Sequence, residues 1–482
     1  MTPALDPRVP ARVHVVGIGG AGMSAIAEVL AAMGHRVSGS DLKSSAGLER
    51  LAALGVEVHV GHHADHLADA SVVTRSTAVS DANPEVRAAR EAGLPVLSRA
   101  EVLGAVTEVR RTIAVAGTHG KTTTSSMLAL ALRDSGLRPS FVIGGDVNEI
   151  GSGAAWDEGG DLFVVEADES DGSFLHLVPH VGVVTNLEPD HLEYHGGFGA
   201  LRDAFDVFVA GVDGTTVLGI DDLEGAALAE RSMAAGLAVT TVGESSEADW
   251  RLIDVRNAWS GVAFDLEAPE GLVAGGRLSV TLPVPGRHNA RNAAMAAVAA
   301  ILVGADPAQA TAALGRFGGV ARRFEQRGRA AGVTFVDDYA HLPTEVVVTV
   351  DAATTGGFGR LVAAFQPHRF SRTEALWSSF GSAFAGVDIL FVTDVYPSGE
   401  APRPGVSGQL VVDAVARDLP GLDVRYAPRR NDLVEGLLAT LVPGDLCLTM
   451  GAGDLTSVPD EVRAHLVEES DETMSDGATD GS

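Results

Sequence analysis

The sequence predicts an α/β protein built on parallel sheets and divided into about three domains. Three observations carry that prediction. At 482 residues the chain is too long for one hydrophobic core. Short apolar runs of strand length alternate with Ala- and Leu-rich stretches of helical length, the pattern of strand–helix–strand units. Two of those runs enter glycine-rich turns that lead directly into helical patterns, and the 57 glycines suit a fold with many tight turns.

The first unit opens at residues 12–16 with Arg-Val-His-Val-Val, a strand that enters Gly17-Ile-Gly-Gly-Ala-Gly22 and a helical pattern to Met33. Residues 37–41 form the next strand and end at Asp41. A fresh strand at 111–116 leads into Gly117-Thr-His-Gly-Lys-Thr122 and another helix, which places a domain boundary near residue 108. Residues 162–165 and 181–185 are short buried strands of this second unit. An Ala-rich helical stretch from Asn289 and the turn Gly318-Gly319 close it, so the next boundary falls near 322. The third unit begins with a strand at 332–336 that runs into Asp337-Asp338-Tyr339 and continues with strands at 361–365, 389–393 and 446–449. The expected domains are therefore 1–107, 108–322 and 323–466. Residues 467–482 are acidic with almost nothing to bury, which predicts a disordered tail.

Composition excludes several classes. A formal net charge of −29 repels phosphate backbones and anionic bilayers, which argues against nucleic-acid and membrane partners. A small anionic substrate remains compatible, because a pocket can be positive whatever the total. The longest apolar stretch, 293–305, falls short of the roughly 20 residues of a membrane span, and no basic-then-apolar leader pattern opens the chain. A cytoplasmic protein is expected. Cys447, the single cysteine, rules out an intramolecular disulfide and a cysteine-rich metal site. Lysine is almost absent, with only Lys43 and Lys121 in the chain, so a lysine inside a glycine loop is not surface sampling.

The strongest chemical signal is Gly117-Thr118-His119-Gly120-Lys121-Thr122 after a strand. Backbone N–H groups of such a loop wrap phosphate oxygens, the lysine bridges the terminal phosphates, and the Thr122 hydroxyl suits Mg²⁺. It is a shorter Gly-x-x-Gly-Lys-Thr form, since Val115 stands where the longer motif has its first glycine. Gly17-x-Gly19-x-x-Gly22 with Asp41 is a tight turn that seats a diphosphate at a helix start; NAD and a nucleotide sugar both satisfy it. Glu166-Ala-Asp168-Glu169-Ser-Asp171 ends a strand, where carboxylates are placed to hold Mg²⁺ directly or through water; Glu166 abuts the apolar run and is the favoured ligand. Asn186-Leu-Glu-Pro-Asp190-His191 brings His191 to the same edge. Arg369 and Arg372, three apart at a helix start, share a face and suit a carboxylate or phosphate. The cluster His59, His62, His63 and His66 lacks further ligands at zinc spacing and is read as a polar loop in which one histidine touches a substrate.

Together these motifs resemble the Mur ligase family, which builds the peptide stem of bacterial cell-wall precursors. The resemblance runs from Val13 to about Gly453. It adds Gly-Arg-His-Asn-Ala-Arg-Asn at 286–292, Arg-Arg-Phe-Glu at 322–325, Asp-Asp-Tyr-Ala-His at 337–341 and Gly-Ala-Gly-Asp at 451–454 to the segments above. It implies a Rossmann-like N-terminal domain for a UDP-sugar, a P-loop-type central ATPase domain, and a Rossmann-like C-terminal domain that closes over the site and binds an amino acid. Met23-Ser24, Phe-Gln-Pro-His-Arg-Phe-Ser-Arg at 365–372 and Val395-Tyr396 most resemble the member that adds L-alanine to UDP-N-acetylmuramate. A member that attaches a whole tripeptide to the same nucleotide sugar is the alternative. Leu342 stands where a second histidine is usual, and residues 191–211 contain no lysine for the carbamylated bridge used by other members.

The resemblance also implies roles. Gly117, Thr118, His119, Gly120, Lys121, Thr122 and Thr123 would hold ATP, with Asn289 and Asn292 on the adenine side and Asp338 a contact from the third domain. Thr122, Glu166 and His191 would hold two Mg²⁺ ions, and Arg322 would reach the γ-phosphate. Gly17, Gly19, Gly20, Gly22, Met23, Ser24, Ser40 and Asp41 would bind the UDP-sugar, and Tyr339, His341, Arg369 and Arg372 the amino acid. The expected partners are UDP-N-acetylmuramate, L-alanine and ATP, with the chain a monomer or weak homodimer. A dinucleotide oxidoreductase would use only residues 17–41 and leave Lys121 unexplained; a nucleotide-sensing binding protein would keep both loops and release little phosphate.

Overall fold

The computed structural model describes residues 5–147 and 150–476, and these form three sheets. The first contains β1 (Arg12–Val16), β2 (Arg36–Asp41), β3 (Glu57–Val60), β4 (Val72–Arg75) and β5 (Val96–Ser98), all parallel, in the order β3-β2-β1-β4-β5. The chain leaves β1 toward β2 and later returns on its other side as β4. That reversal opens a crevice beyond the carboxyl ends of β1 and β4, where ligands of such sheets sit.

The second sheet has ten strands among the described residues: β6 (Arg111–Ala116), β7 (Ser140–Val147), β8 (Ser152–Ala155), β9 (Leu162–Glu166), β10 (Val181–Val184), β11 (Thr215–Gly219), β12 (Val239–Gly243), β13 (Trp250–Ala258), β14 (Gly261–Glu267) and β15 (Arg277–Leu282). Their order is β15-β14-β13-β12-β11-β10-β6-β9-β7-β8. Strands β6, β9 and β10 are almost wholly buried apolar runs, as strands covered on both faces require. The order again reverses at β6, between β9 and β10, so the turns after these three strands meet at one edge.

The third sheet is β16 (Glu325–Ala330), β17 (Val333–Asp338), β18 (Leu361–Phe365), β19 (Ile389–Val392), β20 (Asp423–Tyr426) and β21 (Leu446–Met450), ordered β16-β17-β21-β18-β19-β20 with only β16 antiparallel. Apolar clusters pack its two faces, one on Phe365, Phe380 and Phe384, the other on Phe335, Leu433 and Val462.

The chain forms two compact units. One runs to Val255 and adds Ala263–Leu282 and Asn289–Gly318; the other takes in Arg256–Val262, Pro283–His288 and the chain from Gly319 onward. Within the first, one apolar core joins Val13 and Ile26 to Phe163 and Phe205, so the first two sheets share an interior. Within the second, Trp259 packs edge-on against Phe324 and Phe358.

The tail differs from expectation. The helix Val458–Asp476 carries the chain ten residues into the segment expected to be disordered, and 477–482 lie outside the described residues. Val458, Val462 and Leu466 are buried and nucleate the helix, after which propagation costs little for glutamate-rich sequence. No helix among the described residues is long and apolar enough to cross a membrane.

Candidate active site

The loop after β6 is shaped by what surrounds it. Gly117 has φ +127°, and a Cβ there would fall 2.1 Å from Thr185 Oγ1, so only glycine fits. Gly120 has φ +79°, and a Cβ would fall 2.6 Å from Asn292 Oδ1. That contact places Asn292 against the loop itself. The turn after β10 braces the opposite side. Thr185 Oγ1 and Asn186 Nδ2 donate to the His119 carbonyl, at 2.5 and 3.0 Å, and the His119 N–H donates to Asn186 Oδ1 at 2.8 Å. The Glu188 N–H donates to Thr118 Oγ1 at 2.9 Å. Loop 117–120 is thereby held open at the start of the helix Lys121–Asp134, which no side chain caps. Uncapped N–H groups at a helix start favour an anion.

Lys121 is nearly buried. Its Nζ donates to the carbonyls of Gly117 (2.7 Å) and Thr118 (3.3 Å) and to Glu169 Oε1 (2.9 Å), and lies 2.7 Å from Oε2. Burial works against the Lys121 charge, but the carboxylates of Glu169 and Asp168 hold its pKa above the ordinary lysine value. Burial pushes the Glu169 carboxyl up to about 7 despite the opposing lysine. Thr122 Oγ1 donates to Glu166 Oε1 at 3.0 Å, and the Gly144 N–H donates to Oε2 at 2.7 Å. Thr123 is buried in the same helix. His191 sits at φ +52°, its Nε2 3.2 Å from Asp190 Oδ2. Asn289 is buried one turn before Asn292 on the helix Arg287–Leu302.

Magnesium fits the Thr122–Glu166 pair, a hydroxyl and a carboxylate already 3.0 Å apart at an uncapped helix start. Among the described residues no three His, Cys, Asp or Glu side chains cluster as a complete metal cage. Mg²⁺ keeps several waters and takes substrate phosphates as ligands, so one carboxylate and one hydroxyl are an ordinary protein share.

The glycine turn after β1 is pinned from β2. The N–H groups of Gly17 and Ile18 donate to the Ser40 carbonyl at 2.8 and 3.0 Å, and the Gly19 N–H donates to Asp41 Oδ2 at 2.9 Å. Gly20 precedes the helix Ala21–Ala32 and offers it no capping side chain. Met23, expected at the UDP-sugar, turns its side chain into the core, and the Ser24 hydroxyl donates back to the Ala21 carbonyl. Both residues are buried in the first turns of their helix.

Sequence reasoning missed what stands behind this turn. Glu85 is fully buried, accepting from Ser40 Oγ (2.5 Å) and the His63 N–H (3.2 Å), with His66 Nδ1 at 2.8 Å, His62 Nδ1 at 3.1 Å and His14 Nε2 at 3.7 Å. Burial alone would raise the Glu85 pKa, but the nearby His14 ring and the bonds from Ser40 and His66 prevail and lower it to about 2. The histidine loop is thus organised around a carboxylate, with His59 stacked on His66 at 4.1 Å.

In the second unit, the turns after β17, β18 and β19 gather the other expected residues. Arg322, at φ +62°, donates to the carbonyls of Gly451 and Gly453, and its guanidinium lies 4.8 Å from the Tyr339 ring. Asp338 is spent internally, accepting from the N–H groups of Phe324 and Ala340 at 2.7 Å each; burial raises its pKa to about 6. His341 rings Tyr339 edge-on and lies 5.6 Å from His368. His368 stacks on Tyr396 and accepts from Arg372 Nη1 at 3.0 Å. Burial, then the neighbouring His341 ring and the guanidiniums of Arg372 and Arg369, push the His368 pKa down to about 3, so it stays neutral. Arg369 has φ +65° and caps the helix that carries Arg372. His368 and Tyr396 had no role assigned from sequence, although both lie in the segments 365–372 and 395–396 that carry the resemblance.

Residues 12–111 match the family description "Mur ligase family, catalytic domain", 115–300 "Mur ligase middle domain" and 322–453 "Mur ligase, glutamate ligase domain". The chain is 49% identical over 465 residues to UDP-N-acetylmuramate–L-alanine ligase of Kineococcus radiotolerans, covering 95% of this chain and 96% of that one. It is 45% identical over 457 residues to the enzyme of the same name from Thermobifida fusca, covering 93% and 95%. Among solved structures, UDP-N-acetylmuramate-alanine ligase from Thermotoga maritima superposes with a TM-score of 0.77 at 27% identity, over 96% of this chain and 100% of that one. A murein peptide ligase from Psychrobacter arcticus shares the fold, with a TM-score of 0.69 at 24% identity over 95% and 98%.

Proposed function

Because the chain belongs to the Mur ligase family, we propose that it joins L-alanine to the lactyl carboxylate of UDP-N-acetylmuramate, cleaving ATP to ADP and phosphate. The observation that carries this reading is 45–49% identity to L-alanine ligases over nearly the full length of both chains. We assign residues 1–107 to the UDP-sugar, 108–322 to ATP and 323–466 to the amino acid. The protein acts in the cytoplasm, without nucleic acid or membrane, as a monomer or weak homodimer.

A carboxylate does not acylate an amine, because oxide would have to leave. A lactyl oxygen therefore attacks the γ-phosphorus, ADP departs, and an acyl phosphate forms. The alanine amine then attacks the acyl carbon, phosphate leaves, and the nitrogen loses its proton. Lys121 supplies charge to the β- and γ-phosphates, and the uncapped N–H groups at the start of the helix Lys121–Asp134 orient them. Thr122 and Glu166 would hold Mg²⁺, with His191 toward a second ion; the metal neutralises phosphate charge when bound. Arg369 and Arg372 clamp the alanine carboxylate, while Tyr339, His341 and neutral His368 wall a pocket for a methyl group. Arg322 serves the γ-phosphate.

The test is phosphate release from ATP with Mg²⁺ and UDP-N-acetylmuramate, adding L-alanine or the cell-wall tripeptide. Release that depends on L-alanine is expected. Release only with the tripeptide would move the protein to the recycling reaction, and none with either would sink the ligase reading.

A further inference from the structure

Arg99 belongs to no motif discussed above, yet it stands where the two phosphate-binding halves of the first unit meet. It follows β5 at the carboxyl edge of the first sheet, the edge that carries the glycine turn, and opens the helix Arg99–Thr107, whose Ser98–Glu101 capping box fixes its start. Its Nη1 lies over the first turn of the helix Ala21–Ala32, so close that a Cβ on Gly22 would fall 2.8 Å away. Among the described residues nothing accepts from Nη1. Its Nη2 faces the other way, toward Ser173 Oγ at 3.4 Å, Asp171 Oδ2 at 3.6 Å and Asp168 Oδ2 at 3.7 Å, and the side chain is 23% exposed.

These distances are long for a guanidinium, which forms bonds of about 2.7–2.9 Å to an oxyanion it is built to hold. Asp168 and Asp171 set its direction without saturating it. The support beneath is tight: a Cβ on Gly104, in the same helix, would fall 2.9 Å from the His176 carbonyl, so the helix bearing Arg99 rides directly on the segment after Asp171. The segment that carries Glu166 and Glu169 therefore shares one cation with the start of the helix Ala21–Ala32.

Resting on the UDP-sugar reading above, we propose that Arg99 is a binding residue for the diphosphate of the nucleotide sugar, giving Nη1 to a phosphate oxygen while Nη2 stays on the 168–173 turn. Gly22 is then required for a second reason besides the turn, since any side chain there would displace the guanidinium. The arrangement also makes sugar-nucleotide binding sensitive to the charges of the 168–173 turn.

The test uses the full chain and its Arg99→Ala and Arg99→Lys variants, with affinities for uridine, UDP and UDP-N-acetylmuramate measured by calorimetry. Arg99→Ala is expected to weaken UDP and UDP-N-acetylmuramate by a similar factor, about tenfold to a hundredfold, and to leave uridine unchanged. Arg99→Lys should recover part of that loss. In turnover, KM for the nucleotide sugar should rise far more than kcat falls. Equal UDP affinity in wild type and Arg99→Ala would overturn the assignment, as would a parallel loss of uridine, which marks a structural role. A loss confined to UDP-N-acetylmuramate, with UDP unchanged, would place Arg99 on the sugar instead and also overturn it. Wild-type protein that binds neither UDP nor UDP-N-acetylmuramate would sink the UDP-sugar reading itself.

Discussion

Replacing Glu85 by glutamine removes a charge that no solvent reaches, and the structure sets the size of the effect. The carboxyl ordinarily titrates at 4.5 and here at about 2. At ~1.36 kcal/mol per pH unit, that difference is worth about 3 kcal/mol at neutral pH. Burial opposes the charge, so the stabilisation comes from the nearby His14 and the bonds of Ser40 and His66 outweighing it. The sign follows from the lowered value: the contribution is complete above pH 4.5 and is lost as pH falls from there toward 2. Hydrogen exchange of peptides covering β1 and β2 reads the opening of this sheet locally, which suits a chain of two units better than a global melt. Glu85→Gln should speed that exchange roughly a hundredfold at pH 7, after correction for intrinsic rates. The gap to wild type should narrow by ~1.4 kcal/mol for each unit below 4.5. Equal exchange at pH 7, or a gap that stays constant down to pH 3, would refute the reasoning.

Other expectations follow from the same geometry. Lys121→Met should cut kcat at least a thousandfold while circular dichroism is unchanged, because it removes the cation at the phosphates and leaves the helix start intact. Gly120→Ala should abolish ATP binding in a fluorescent-nucleotide titration, since its Cβ would strike Asn292. Arg372→Ala should raise KM for L-alanine about tenfold to a hundredfold with the KM for ATP unmoved, and Arg372→Lys should recover little, because a point charge does not reproduce a guanidinium.

What the sequence made legible was local. The loop at 117–122 could be found because phosphate wrapping needs small residues and a lysine at fixed spacing, and each requirement falls on adjacent positions. The alternation of buried strands and helices gave the α/β class for the same reason, one element at a time. Met23 shows where that stops: its place in a motif suggested a ligand, but the helical period turns its side chain inward. Asp338 is similar, because motif membership did not reveal that two backbone N–H groups would occupy its oxygens.

The residues that escaped detection are joined through sheet order. Glu85 meets His14, Ser40, His62 and His66 only because β1, β2 and β4 lie side by side, which brings together positions up to 71 residues apart in sequence. Arg99 meets Asp171 and Ser173 across two different sheets. No spacing rule covers such pairs, since the separations depend on how many residues each crossover happens to use. A buried carboxylate with three histidines around it is nonetheless a stronger constraint on sequence than any surface motif, because removing one hydrogen-bond partner of a buried charge costs about 1–3 kcal/mol. The Ser40 carbonyl that pins the glycine turn and the Ser40 hydroxyl that bonds Glu85 belong to one residue. Loss of Glu85 should therefore loosen the turn proposed to bind the nucleotide sugar as well as the sheet, and the two effects should appear together.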